Sequence, residues 1–417
     1  MKSSRLLVDL TPLRESVPYR TLFCGQIISL LGTQLTTVAL PLQVYLLTHS
    51  SLAVGLIGLV QLGPALILTL YGGAIADALD RRLILLTTQS LLLLTTAILA
   101  IVTFLPHPAL WLLYVLAALL AGIAGVDGPT RGATTRNLVR REHFAAAAGL
   151  NALMFQLGAV VGPAVAGLII SHFSLSIAYG LDTATYSAAI LAVLLLPPQI
   201  PQGERRRAGW TALREGLHYV RGQQIVQGIL LSDSDAMIFG LPRALFPAFG
   251  LTVFGGGAQT VGWLYAAPAF GALVGAFSSG WVGHIQRPGR AVLLLVGLWG
   301  LAITIFGFSI WLPLALLMLA FAGWADIISE VLRSTMLQLT IPDSLRGRIT
   351  AVWLAQTNGT SRLGDVESGL VAAVTNVQIS ATTGGVACCI GAFALAWLLP
   401  IFWQVRLDAT ERVVPEA

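Results

Sequence analysis

Gly73-Ala74-Ile75-Ala76-Asp77-Ala78-Leu79-Asp80-Arg81-Arg82 is a short polar reversal between two long apolar runs. The run before it lies near 53–76 and the run after it near 83–104. Each is long enough to be a membrane-spanning helix, which needs about 20 mostly apolar residues. The two arginines add an orientation, because Lys and Arg gather in loops on the cytoplasmic side. The pattern returns late in the chain as Gly280-x-x-x-His284, followed by Arg287 and Arg290. A polar reversal that recurs in this way predicts an all-α membrane protein built from two related halves.

Working outward from that loop, spans fall near 20–47, 53–76, 83–104, 110–130, 145–170 and 177–197. A polar stretch from Pro198 to about Gly222 follows and contains Glu204-Arg205-Arg206-Arg207. A second set falls near 224–247, 260–283, 290–311, 313–335, 348–373 and 382–404. The expected domains are therefore an N-terminal six-helix bundle over 1–197, a cytoplasmic linker over 198–222 and a C-terminal six-helix bundle over 223–417. Counted from a cytoplasmic N-terminus, the inner loops carry Arg81 and Arg82, Arg140 and Arg141, Arg205–Arg207 with Arg214 and Arg221, Arg287 and Arg290, and Arg346 and Arg348. The outer loops His49–Leu52, Leu105–Ala109, Ser171–Ser176, Gly250–Gln259, Trp311–Pro313 and Asn376–Ser380 contain no Lys or Arg. One missed or extra helix would invert this pattern downstream, so the charges predict twelve spans with both termini cytoplasmic. Parallel six-helix repeats place a substrate site at their interface, near the bilayer midplane.

Composition agrees. Hydrophobic residues make up 56% of the chain and charged residues 10%, against about 25% charged in soluble domains. Mean hydropathy is +0.81 and the calculated pI 9.4. The basicity does not imply nucleic acid, because the arginines are dispersed along the loops and the only lysine is Lys2. That single lysine also excludes a Walker A loop, which requires Gly-Lys-Ser/Thr. His49, His107, His143, His172, His218 and His284 fall in or beside loops, and Cys24, Cys388 and Cys389 show no metal spacing. An enzyme, a metal site and a cofactor are not expected. Nor is a cleavable leader, since about twenty mixed residues precede a full-length span. The expected partners are a small-molecule substrate, protons and the lipid bilayer, with the chain working as a monomer. With no ATP site, transport must draw on a gradient, worth about 2.3 kcal/mol per charge per 100 mV.

Ionisable residues inside spans are costly and are functional candidates by default. Asp127 and Arg131 stand one turn apart on the fourth span. The seventh carries Asp233, Asp235 and Arg243, the tenth Asp326, Glu330 and Arg333, and the eleventh Arg362, Asp365 and Glu367. Positions 326, 330 and 333 form one stripe of a helix. Glu330, Asp127 and Asp326 are the candidate proton carriers. Arg131, Arg243 and Arg333 are candidate contacts for an anionic substrate, since a guanidinium grips oxyanions in a fork. Trp263, Tyr265, Trp324 and Trp353 are candidates to stack on an aromatic one, although for any single one of them packing or an interfacial belt is the readier account. Asp127, Asp233 and Arg333 lie towards the ends of their spans, where snorkelling to water is cheap.

The fifth span reads Gly149-x8-Gly158-x3-Gly162-Pro163-x2-Ala166-Gly167. Small residues at this spacing let helices approach closely, and the proline bends the helix. The run resembles the antiporter motif of major facilitator exporters, with Ala166 in place of a glycine. The loop Gly73, Asp77, Arg81 and Arg82 resembles that superfamily's gating signature, with Ala78 and Asp80 as departures. Further matches are Thr48-His49-Ser50 leading to Val54-Gly55-Leu56, Arg243-Ala-Leu-Phe-Pro247-Ala, Leu264-Tyr265-Ala266-Ala267-Pro268 with Gly271 and Gly275, Gly323-Trp324, Thr335-Met336-Leu337-Gln338, Pro342 and Arg346-Gly347-Arg348. Together they resemble the enterobactin exporter branch of the major facilitator superfamily across nearly the whole chain. That resemblance implies proton-coupled export of a catecholate siderophore across the bacterial inner membrane. The alternatives are a multidrug/proton antiporter of the same fold and, outside transporters, a channel or receptor, for which no pore-wide polar stripe or soluble domain is visible.

Overall fold

The computed structural model describes residues 9–106, 108–200, 210–407 and 413–414. His107 and the Glu204–Arg207 run lie outside the described residues, as do the side chains of Arg346 and Arg348. Among the described residues twelve long helices follow one another: α1 Val17–Thr48, α2 Ser51–Ala78, α3 Arg81–Val102, α4 Leu110–Leu138, α5 Phe144–His172 and α6 Leu175–Leu194; then α7 Gln224–Phe239, α8 Gly257–Ser278, α9 Pro288–Phe308, α10 Leu312–Thr340, α11 Asp343–Val374 and α12 Val377–Leu398. A short helix, Trp210–Arg221, stands between the two sets. Arg406–Leu407 pairs antiparallel with Val413–Val414 and is the only strand pairing among the described residues.

Every expected span is helical, with informative differences at the ends. α4 runs on to Leu138 through an internal Pro129. The seventh span breaks after Phe239 at Gly240, then continues as a tight turn at Arg243–Leu245 and a π-turn at Phe249–Val253. The twelfth starts at Val377 and stops at Leu398, because Pro400 opens a separate helix, Pro400–Gln404; a proline lacks the N–H that would continue the previous one. Eleven of the described helices are long and apolar enough to cross a membrane. The remaining long helix, α11, has the length, at 32 residues, and falls short only in apolarity because it carries Arg362, Asp365 and Glu367. Phe277, Phe393 and Trp397 are each 79% exposed, which suits a lipid-facing surface and not a water-facing one.

The chain divides into two compact units, one of Met1–Gln43 with Gly63–Ala208, the other of Val44–Leu62 with Gly209–Ala417. In the first, α2 and α4 approach backbone to backbone. A Cβ on Gly72 would lie 2.8 Å from the Gly125 carbonyl oxygen, and one on Gly125 3.1 Å from that of Ala65. Gly158 and Gly162 of α5 face Leu30 and Gln34 of α1, while Gly149 faces open space. In the second unit, a core of Trp299, Phe246, Phe249 and Phe306 ties α7 to α9. α8 and α10 touch through Gly271 against Ala320 and Gly323 against Pro268. The first turns of α2 belong here: a Cβ on Gly58 would meet the Arg362 carbonyl of α11 at 2.9 Å, and one on Gly369 the Ser51 carbonyl at 2.7 Å. Helices in lipid gain no hydrophobic drive towards one another, so this close packing of small residues, with the aromatic core of the second unit, contributes to holding the helices together.

Candidate transport site

In the first unit, Asp127 and Arg131 pair along one face of α4, with Nε 2.5 Å from Oδ2. Two side chains of α3 complete the carboxylate's partners: Thr88 Oγ1 and Gln89 Nε2 each donate to Oδ1 at 2.7 Å. Asp127 is buried, so it does not reach water as a position near the end of its span would allow. With a cation and two donors it is fully bonded, an arrangement suited to locking α3 against α4.

The loop after α2 is tied down by its own charges. Arg81 Nη2 lies 3.3 Å from Asp77 Oδ1, and Arg81 Nε donates to the Ala76 carbonyl at 3.0 Å. Arg82 donates to the Leu194 carbonyl at 2.7 Å. Asp80, a departure from the gating signature, caps α3: its Oδ1 accepts the N–H of Arg82 at 2.9 Å and also that of Gln199 at 2.9 Å. Gly73 faces open space.

In the second unit, one guanidinium serves two carboxylates. Arg333 Nη2 lies 3.1 Å from Asp233 Oδ1 and 3.4 Å from Asp326 Oδ1. Asp233 Oδ2 also accepts from Gln356 Nε2 and Thr357 Oγ1 of α11, both at 3.0 Å. The Arg333 and Asp233 side chains are 1% and 3% exposed, whereas Asp326 is 25% exposed. Neither of these deep residues snorkels; both are enclosed by protein. Arg333 Nε and Nη1 have no hydrogen-bond partner among the described residues, and a buried donor left unpaired is costly. Glu330, three residues from Arg333 on the same stripe, is exposed.

A second group gathers where α7 breaks. Arg243 is exposed in the turn after Gly240. The Tyr265 hydroxyl of α8 donates to the Arg243 carbonyl at 3.2 Å, and its ring meets Phe246 edge-on at 5.0 Å. Asp365 of α11 accepts the backbone N–H of Ala244 and lies within electrostatic range of Arg243 and Arg362. Arg243, Tyr265 and Asp365 thus meet. Trp263 does not join them, since residues two apart leave a helix on different sides. Trp324 Nε1 donates to Ser278 Oγ at 3.2 Å and its ring stacks on Phe321, while Trp353 packs against the core.

Asp182 of α6, which the spacing of charges along the chain did not single out, is 0% exposed. Its partners are hydroxyls: Thr36 Oγ1 lies 2.5 Å from Oδ2 and Thr185 Oγ1 3.4 Å from Oδ1. An Asp inside an apolar span was the available signal. The partner across the seam, on another helix, was not.

The profile of the transmembrane secretion effector family matches residues 8–415. Among curated proteins, the enterobactin exporter EntS of Escherichia coli O1:K1 is 30% identical over 385 residues, covering 92% of each chain. Its counterpart from Shigella boydii serotype 18 matches to the same extent. Among solved structures, the nucleoside transporter NupG superposes with a TM-score of 0.76 at 13% identity, covering 91% of this chain and 98% of that one. The human organic anion transporter MFSD10 superposes with a TM-score of 0.61 at 16% identity, covering 90% and 98%. The structural likenesses show the fold alone.

Proposed function

Because the chain belongs to the transmembrane secretion effector family of major facilitator transporters, we propose that it exports a catecholate siderophore across the bacterial inner membrane in exchange for protons, with both termini cytoplasmic. The curated relatives that carry the name enterobactin exporter support the cargo and its direction. The observation that carries the coupling is the single Arg333 between Asp233 and Asp326. Two acids share one cation, so the group holds one more negative charge than positive unless a proton joins it.

Asp326 is the accessible member of that group, with Arg333 and Asp233 behind it. A catechol offers two adjacent hydroxyls, and an ionised carboxylate accepts hydrogen bonds from both. Protonating Asp326 replaces an acceptor with a donor and weakens that grip. Substrate and proton then compete for one carboxyl, which is the requirement for exchange. Arg243, in the second group, holds an acidic oxygen of the cargo, and Tyr265 supplies an aromatic face beside it. Arg131 is committed to Asp127 and serves the helix pair rather than the cargo.

The surplus of acids also favours a second reading, export of a cationic drug-like compound by the same fold. Asp326, Glu330, Asp365 and Glu367 give such a cation several counter-charges. Secretion separates the two. Iron-starved cells lacking the gene, and lacking other exporters, should retain the siderophore inside, and plasmid-borne gene should restore release. Normal secretion from the deletion strain, together with lost drug resistance, would replace the first reading by the second.

A further inference from the structure

Asp182 is the fully buried carboxyl that the proposed exchange at Asp326 leaves unused. It stands in a polar seam between α6 and α1. Gly32 of α1 lies opposite, where a Cβ would sit 2.7 Å from Oδ1, so a larger residue would displace the carboxyl. Along the same seam, the Tyr179 hydroxyl donates to Gln43 Oε1 at 2.8 Å, and the Tyr186 hydroxyl lies 3.0 Å from Thr33 Oγ1.

The charges on the neighbouring helices are accounted for. On α1 the only charged residue is Arg20, near its start, and its other titratable groups are Tyr19, Cys24 and Tyr45. α3 is charged only at Arg81 and Arg82, its first two positions, and faces α6 through Thr96, whose hydroxyl lies 3.1 Å from that of Thr183. α5 has no charged residue before His172, its last. On α4, Arg136 is exposed in the last turn, and Asp127 and Arg131 act electrostatically on Tyr186 but are paired with one another. Among the described residues no cation pairs with Asp182.

A carboxylate cut off from water and from any cation carries the full cost of burying a charge, and hydroxyl donors offset only part of it. We propose that Asp182 is a proton-binding site: it holds a proton between Thr36 and Thr185 in the state described here and exchanges it during the transport cycle. In the protonated form the added O–H donates to the Thr36 oxygen. When the proton leaves to water, the carboxylate accepts from both threonine hydroxyls. This site belongs to the first unit and the Asp326 group to the second, and its role in coupling rests on the proton-exchange reading above.

Infrared difference spectra of the purified transporter in lipid, taken across a pH titration, read protonated carboxyls directly and need no substrate. The wild type should show a carboxylic acid C=O band that Asp182→Asn lacks and Thr36→Val shifts. A spectrum unchanged in both variants overturns the proposal, and Thr36→Val decides it alone where Asp182→Asn does not fold. In everted vesicles with enterobactin as the probe, the ratio of gradient-driven accumulation to gradient-free exchange should fall about tenfold or more in Asp182→Asn. A wild type that ignores the pH gradient brings down proton coupling itself. A wild type that responds, beside a variant that responds equally, overturns only the assignment to Asp182.

Discussion

Arg333 of α10 lies 3.1 Å from Asp233 of α7, and the pair is closed in by α11 through Gln356 and Thr357. Removing one partner of a buried pair strands the other, at a cost of about 3–5 kcal/mol. Arg333→Gln should therefore lower thermal stability in detergent sharply. The double variant Asp233→Asn with Arg333→Gln should recover much of that loss, because the deeply buried Asp233 charge is gone and only the more accessible Asp326 is left without its cation. Equal melting of the single and double variants would show that the pair is not a unit.

Asp326 is the reachable acid of that group and Glu330 the more exposed one. Asp326→Asn is expected to cut gradient-driven transport by about tenfold or more. Glu330→Gln should change stability by no more than about 0.5 kcal/mol, as surface substitutions do, and should leave the pH response in place. Vesicle transport at matched expression checks both. Loss of coupling in Glu330→Gln with retention in Asp326→Asn would move the exchanging carboxyl to Glu330.

The glycines of α5 are not equivalent. A Cβ on Gly158 would lie 2.6 Å from Leu30, and one on Gly162 would collide with Gln34, while Gly149 has nothing within 4 Å. Gly162→Leu should overpack the α1–α5 contact, at about 1–3 kcal/mol or more, and lower the yield of folded transporter. Gly149→Ala should be tolerated. Fluorescence-detected gel filtration compares them, and equal behaviour would remove the close contact as the reason for the motif.

Asp80→Ala removes a helix cap worth about 1 kcal/mol and unties Gln199 from the α2–α3 loop. Proteolysis at the segment after α6 should quicken, while Asp80→Asn, which keeps an acceptor oxygen, should restore protection. Unchanged cleavage in Asp80→Ala would mean that Gln199 is held by other contacts.

The sequence made the helices legible because lipid imposes a length and loops carry the sign of their compartment. It was less clear about breaks inside a span: the interruption of α7 at Gly240 follows from Leu241-Pro242, which reads as apolar in a hydropathy window. Site residues were legible one helix at a time. The stripe of Asp326, Glu330 and Arg333 was visible from spacing, but Asp233 reaches Arg333 from α7, and Gln356 and Thr357 reach Asp233 from α11. The same limit hid Asp182, whose partner Thr36 is remote in the chain. Asp80 looked like a flaw in a motif and is a cap that accepts the Arg82 N–H, and its second partner, Gln199, was hidden because it lies at the far end of the first six helices.

The most direct test of proton-coupled siderophore export uses purified protein in vesicles with an imposed pH gradient and enterobactin as cargo. The account predicts uphill enterobactin movement that stops when the gradient is collapsed, with protons moving the opposite way. Enterobactin movement that is indifferent to the gradient, or none while a cationic drug moves against protons, would contradict it.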